Sequence, residues 1–178
     1  MRSSLIFFEC LDDDDVAWIY HACHKVHYAD KDVLIDAGMV AAEIFILLEG
    51  KCRVESVAGQ FLDLLSSGDI IGEVSFVDKR KTATRVSAQG SCAVAVIDGE
   101  QLREKLQTDV AFCSRFYLAA ARVLAYRLRG NLQVAITEEV NVMNSAQEFV
   151  GEIDPADLDA TAKSGARLAY LISRFCVQ

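Results

Sequence analysis

Between residues 67 and 88 the chain reads Ser67-Gly-Asp-Ile-Ile-Gly-Glu-Val-Ser-Phe-Val-Asp-Lys-Arg-Lys-Thr-Ala-Thr-Arg-Val-Ser-Ala88. Gly72 lets the backbone turn and an anion come close. A helical turn opening at Glu73, Val74 and Ser75 leaves amides with no intrahelical acceptor, and such amides attract negative charge. The Glu73 carboxylate beside them is placed to accept hydrogen bonds from sugar hydroxyls. A polar, basic run from Lys79 to Arg85 follows, and a strand begins at Val86. On residue types alone the stretch is either an anion cradle or a turn between two strands.

The elements that must position it are legible as patterns. Asp12 to Asp15 precede Val16-Ala-Trp-Ile-Tyr20, so the acids cap a helix predicted over Asp13 to Cys23. From His24 to Ile97 apolar residues recur with period two between glycine turns, which predicts many short strands in a sandwich or roll. Helix patterns return at Glu100 to Gln107 and, after a cap at Thr108-Asp109, from Val110 to about Leu132. Ala119, Ala120, Ala121 and Ala125 permit close approach of another helix. Arg115, Arg122 and Arg129 recur every seven residues and form one stripe, the usual pattern of a solvated face paired with acids. A last amphipathic helix is predicted from Pro155 to about Cys176, capped by Asp154 and burying Leu158, Ala162, Leu168, Leu171, Ile172 and Phe175.

Composition narrows the function. A net charge of −8 and an acidic 137–178 tail argue against a general nucleic-acid or membrane binder. No apolar run approaches membrane-spanning length, and the expected location is the cytoplasm of a bacterium. The six cysteines lack Cys-x-x-Cys spacing, and several sit in apolar runs as buried thiols. His21, His24 and His27 straddle a helix end and a strand, so no metal is assigned. No nucleophile–base pattern or nucleotide-hydrolysis loop occurs, so the chain is not expected to be an enzyme and no cofactor is implied.

Ile71-Gly72-Glu73-Val74-Ser75-Phe76, then Ala83 and Val86-Ser87-Ala88, resemble the phosphate-binding cassette of the cyclic-nucleotide-binding domain family. Val33 to Gly38 and Ile44 to Gly50 resemble the family's early strands and glycine turns. The resemblance, covering roughly residues 5 to 134, implies an α+β, mainly β fold: an antiparallel, jelly-roll-like β-roll with an N-terminal helix, a long C-terminal helix and a helical tail. The implied organisation is a binding domain over 1–134 and a helical extension over 135–178, in place of the family's DNA-binding domain. The implied ligand is cAMP, cGMP or a cyclic dinucleotide. Gly72, Glu73, Val74 and Ser75 would offer backbone N–H groups, Glu73 would take a ribose hydroxyl, Thr82 and Ala83 would line the phosphate, and Thr84 the base side. The family's phosphate-binding arginine falls on Thr82 and the preceding proline on Lys81, a departure that leaves Lys81, Arg80 or Arg85 as substitute charges. The implied role is regulation through protein contacts, with a homodimer along the long helix. The alternatives are a ligand-free scaffold of the same fold and, less favoured, a DNA-binding regulator.

Overall fold

Strand β3 (Glu43–Glu49) is apolar at every interior position, and β8 (Cys92–Asp98) is apolar up to its last residue. Such strands need cover on both faces. A computed structural model, which describes residues 3–140 and 155–176, places them at the centre of a four-stranded antiparallel sheet. Its outer strands are β1 (Cys23–Tyr28) and β6 (Ile70–Ile71), in the order β1-β8-β3-β6. One face presents Ile44, Ile46, Ala95 and Ile97 to the helices. The other presents Phe45, Leu47, Val94 and Val96 to the second sheet, as period-two alternation requires.

That second sheet is ordered β2-β7-β4-β5, from β2 (Val33–Ile35), β7 (Thr84–Ala88), β4 (Lys51–Ser56) and β5 (Phe61–Ser66). It turns Ile35, Cys52, Leu65, Val86 and Ala88 inward. The two sheets facing one another make the antiparallel roll.

Among the described residues six helices flank it: α1 (Ser3–Glu9), α2 (Asp13–Ala22), α3 (Glu73–Asp78), α4 (Gly99–Thr108), α5 (Val110–Val140) and α6 (Pro155–Cys176). The acidic run before Val16 acts as a cap. Asp12 accepts from the Asp15 amide and Asp15 accepts from the Asp12 amide, a capping box. The arginine stripe is paired with acids at two positions. Arg115 binds Asp12 and Asp15, Arg122 binds Glu9, and Arg129 is exposed.

Around Phe7 and Phe8 the chain forms α1, anchored where Ser3 donates its amide and hydroxyl to Asp69. Two details differ from expectation. α5 continues past Leu132 to Val140, because nothing in Gln133 to Val140 breaks a helix. On α6, Ala162 is exposed and Ser164 is buried in its place, since the packed face runs through Ser164, Leu168, Leu171 and Phe175. Leu158 lies outside the described side chains. The rings of Phe7, Phe76 and Phe116 meet edge to face at 5.6 and 5.8 Å, which ties α3 to α1 and α5. The site helix is therefore fixed by the same aromatic core that fixes the long helix.

Candidate functional site

Strand β6 ends at Ile71, and the chain must reverse into α3 within one residue. Gly72 does this at φ 93°, in the left-handed region. A Cβ there would stand 2.6 Å from the Glu43 carbonyl oxygen, so space and conformation both demand glycine. Gly72→Ala is expected to cost about 2–4 kcal/mol. A thermal unfolding midpoint unchanged from wild type would contradict this reading.

The turn opens onto a cavity of about 580 Å³, within the size range of small-molecule sites. Its inner wall is aliphatic, from Ile35, Val54, Leu65, Ile71 and Val86. Gly72, Glu73, Val74 and Ser75 form one rim, and Lys81, Thr82, Ala83 and Thr84 the other. Tyr126 and Arg127 of α5 close the side. The cassette residues are therefore brought to one place, with the exception of Arg85.

Arg85 points to the outer face of the second sheet, where its Nε donates to Asp36 Oδ1 at 2.9 Å. Its neighbour Val86 points inward, as strand alternation dictates. Thr82 lines the cavity, but its polar groups are engaged elsewhere. Its hydroxyl donates to the Asp36 carbonyl at 2.8 Å and its amide to the Met39 carbonyl at 2.7 Å. Ser75 is likewise structural through its side chain, donating to the Arg80 carbonyl at 2.7 Å and accepting from the Ala41 amide at 3.1 Å. These bonds hold the 78–83 loop in position while Arg80 and Lys81, both exposed, stand at the cavity rim.

Glu73 is the chemical centre. Its side chain is 1% exposed, and one oxygen accepts from Arg127 Nη1. The same guanidinium donates its Nη2 to the Ile70 carbonyl. The other carboxylate oxygen, Oε2, is buried without a hydrogen-bond partner. Burial pushes the Glu73 carboxyl above the usual carboxylate range, and the Arg127 charge reverses only part of that shift. A buried, half-satisfied carboxylate is costly unless something completes it.

Arg127 escapes a reading of the sequence because it lies 54 residues from Glu73 and off the Arg115–Arg122–Arg129 stripe. One signal for it exists. It directly follows Tyr126, an inward-facing position of the long helix, so it borders the packed face.

Comparison with known proteins places the site in context. Residues 25–109 match the model of the cyclic nucleotide-binding domain. The cAMP-activated global transcriptional regulator CRP of Pasteurella multocida is 28% identical over 102 residues, 54% of this chain and 49% of that protein. The match thus spans about half the length of that relative. A cyclic nucleotide-binding domain from Methylobacillus flagellatus superposes with a TM-score of 0.65 at 15% identity, covering 79% of this chain and 78% of that one. The regulatory domain of Toxoplasma gondii PKA with cAMP gives a TM-score of 0.53 at 19% identity, covering 57% and 41%. The family match falls on the roll and its Gly72–Glu73 turn, and over residues 25–109 the chain is similar to the cyclic nucleotide-binding domain.

Proposed function

We propose that the chain is a regulatory module that takes a cyclic nucleotide in this cavity and signals through protein contacts. The observation that carries the reading is the unpartnered Oε2 of Glu73, a buried acceptor at the cavity rim. A ribose hydroxyl would complete it. The α3 amides, with Gly72 allowing close approach, would face the cyclic phosphate. Lys81 and Arg80 supply charge at the rim in place of the arginine that Thr82 replaces, and Ala83 and Thr84 line the phosphate and base sides. The relatives are named for cAMP, which makes it the first ligand to test.

Calorimetric titration of the full chain with cAMP, cGMP and cyclic di-GMP tests this. The expected result is micromolar binding of one of them, weakened at least tenfold by Glu73→Gln. Lys81→Ala should weaken the same ligand further at low salt than at high salt. No heat from a folded protein would sink the reading.

The bonds that engage Thr82 favour a second reading, a scaffold of the same fold without a nucleotide. Losing one charge-assisted phosphate contact costs about 1.5–3 kcal/mol, a roughly ten- to hundredfold weakening. The absence of titration heat would turn the argument to this reading.

Dimerisation along α5 belongs to the same proposal. Val110, Ser114, Tyr117, Ala121, Leu124 and Leu128 recur in alternating steps of four and three, the spacing of a helix-pairing seam. Tyr117 and Leu128 are 44% and 61% exposed, far above core values. Light scattering should give twice the 19.6 kDa chain mass for wild type and the single mass for Tyr117→Glu/Leu128→Glu. A wild-type chain that is monomeric at every concentration would remove the dimer from the proposal.

A further inference from the structure

Helix α6 lies outside the matched region, yet it is docked by specific polar contacts. Arg167 donates through Nη1 to the carbonyls of Phe8 at 2.9 Å and Leu11 at 2.6 Å, at the C-terminal end of α1. Its Nε donates to Asp13 at 2.9 Å. Lys25 caps the far end of α6 by donating to the Phe175 carbonyl at 3.1 Å. Leu168, Leu171 and Phe175 are buried in the helical core beneath.

The opposite end of α1 is held by the turn that leads into the site. Ser3 donates its amide and hydroxyl to Asp69 Oδ1 at 3.2 and 2.9 Å, and the Ser4 amide donates to the Gly68 carbonyl at 2.9 Å. The Ile70 amide then donates to Ser3 Oγ at 3.0 Å, while the Ile70 carbonyl accepts from Arg127. One residue is thus bonded to α1 through its N–H and to the site arginine through its C=O. Ile70 belongs to β6, a two-residue edge strand paired with β3 at Phe45 and Ile46. So short a strand makes few ladder bonds, although both its side chains are buried.

We propose that α1 is a relay coupling the Glu73–Arg127 pair to the docking of α6. One guanidinium holds both Glu73 and Ile70, so Arg127 cannot leave the carboxylate for a competing anion while keeping its full grip on β6. Loosening β6 loosens the Ser3 end of α1. The other end of α1 supplies the carbonyls that Arg167 grips. An open pair therefore favours a released α6, and a closed pair a docked one. Identifying the competing anion as a nucleotide rests on the functional reading above; the coupling itself does not.

Hydrogen exchange on the full chain, with no ligand present, tests the coupling. Arg127→Met should raise exchange across 155–176 by about fivefold or more, and because coupling is reciprocal Arg167→Ala should raise exchange over 70–75 in turn. Arg129→Ala, exposed on α5, should change neither segment, and in Arg127→Met the rise across 155–176 should exceed any rise in the core strand 92–98. Unchanged α6 exchange in Arg127→Met, or unchanged exchange over 70–75 in Arg167→Ala, overturns the relay. If the rise in 92–98 matches the rise across 155–176, Ser3→Ala decides. With the Ser3 hydroxyl gone, Arg167→Ala should no longer affect 70–75, and an undiminished effect overturns the proposal. Nucleotide binding without coupling would leave the site reading standing alone; coupling without binding heat would leave the relay standing alone.

Discussion

Arg127→Met is expected to lower the free energy of unfolding by about 2–3 kcal/mol at pH 8. Removing one partner of a buried ion pair strands the other charge, which costs about 3–5 kcal/mol when both are fully buried. Here the arginine side chain is 31% exposed while Glu73 is 1% exposed, so the lower figure is appropriate. The substitution also strips the Ile70 carbonyl of a charged donor. Urea unfolding of the two proteins measures the difference. Glu73→Gln in the Arg127→Met background should recover most of the loss, because the stranded charge is then gone. A double variant no more stable than Arg127→Met would show that the cost lies in lost packing.

The pH dependence supplies a second, sharper test. The Glu73 carboxyl in the folded chain lies above the usual carboxylate range, chiefly from burial. In the window between the unfolded value, about 4.3, and the folded one, the folded state holds a proton that the unfolded state has lost. Its contribution to stability is therefore complete below about pH 4.3 and is lost as pH rises through the folded value. Removing the Arg127 charge lifts the folded value further and widens that window. The destabilisation by Arg127→Met should accordingly be smallest near the unfolded value and grow as pH rises. Glu73→Gln should remove this component in both backgrounds, and a penalty independent of pH would contradict the assignment.

What the chain reveals on reading follows from how local each signal is. The Gly72–Glu73 turn is legible because its requirements, a positive φ and a helix start, fall on adjacent residues. The roll is legible because β3 and β8 announce a doubly covered sheet. Arg127 is not, because its meaning depends on α5 lying across β6, and no sequence period marks that crossing. Thr82 shows a different limit. The family resemblance implies a phosphate-binding position there, whereas its hydrogen bonds to Asp36 and Met39 exist only once β2 and the 78–83 loop meet. Arg85 could be placed outward from strand alternation alone, and its pairing with Asp36 agrees.

Asp15→Ala is expected to lower the free energy of unfolding by about 2–3 kcal/mol at pH 7. Asp15 is 3% exposed and does two things at once. Its Oδ2 accepts from the Asp12 amide at 2.9 Å, closing the capping box of α2. Its two oxygens take Arg115 in a bidentate grip at 2.5 and 2.8 Å, which fastens α2 to α5. A lost cap costs about 1 kcal/mol, and charge-assisted bonds add about 1.5–3. Arg115 keeps Asp12 as a partner and is 32% exposed, so the sum is discounted for solvent. Burial alone would push the Asp15 carboxyl up, but Arg115 together with Asp12 more than offsets it and holds the group below its usual range. A depressed acid stabilises above its unfolded value, about 3.9, and that stabilisation is lost as pH falls through the folded value. Asp15→Asn, which preserves shape and removes the charge, should therefore be less stable than wild type at pH 7, with the gap starting to close below about pH 4 and vanishing once the pH is under the depressed folded value. Failure to converge would mean that the geometry of the cap, rather than the charge on Asp15, joins the N-terminal helices to the helix that carries Arg127.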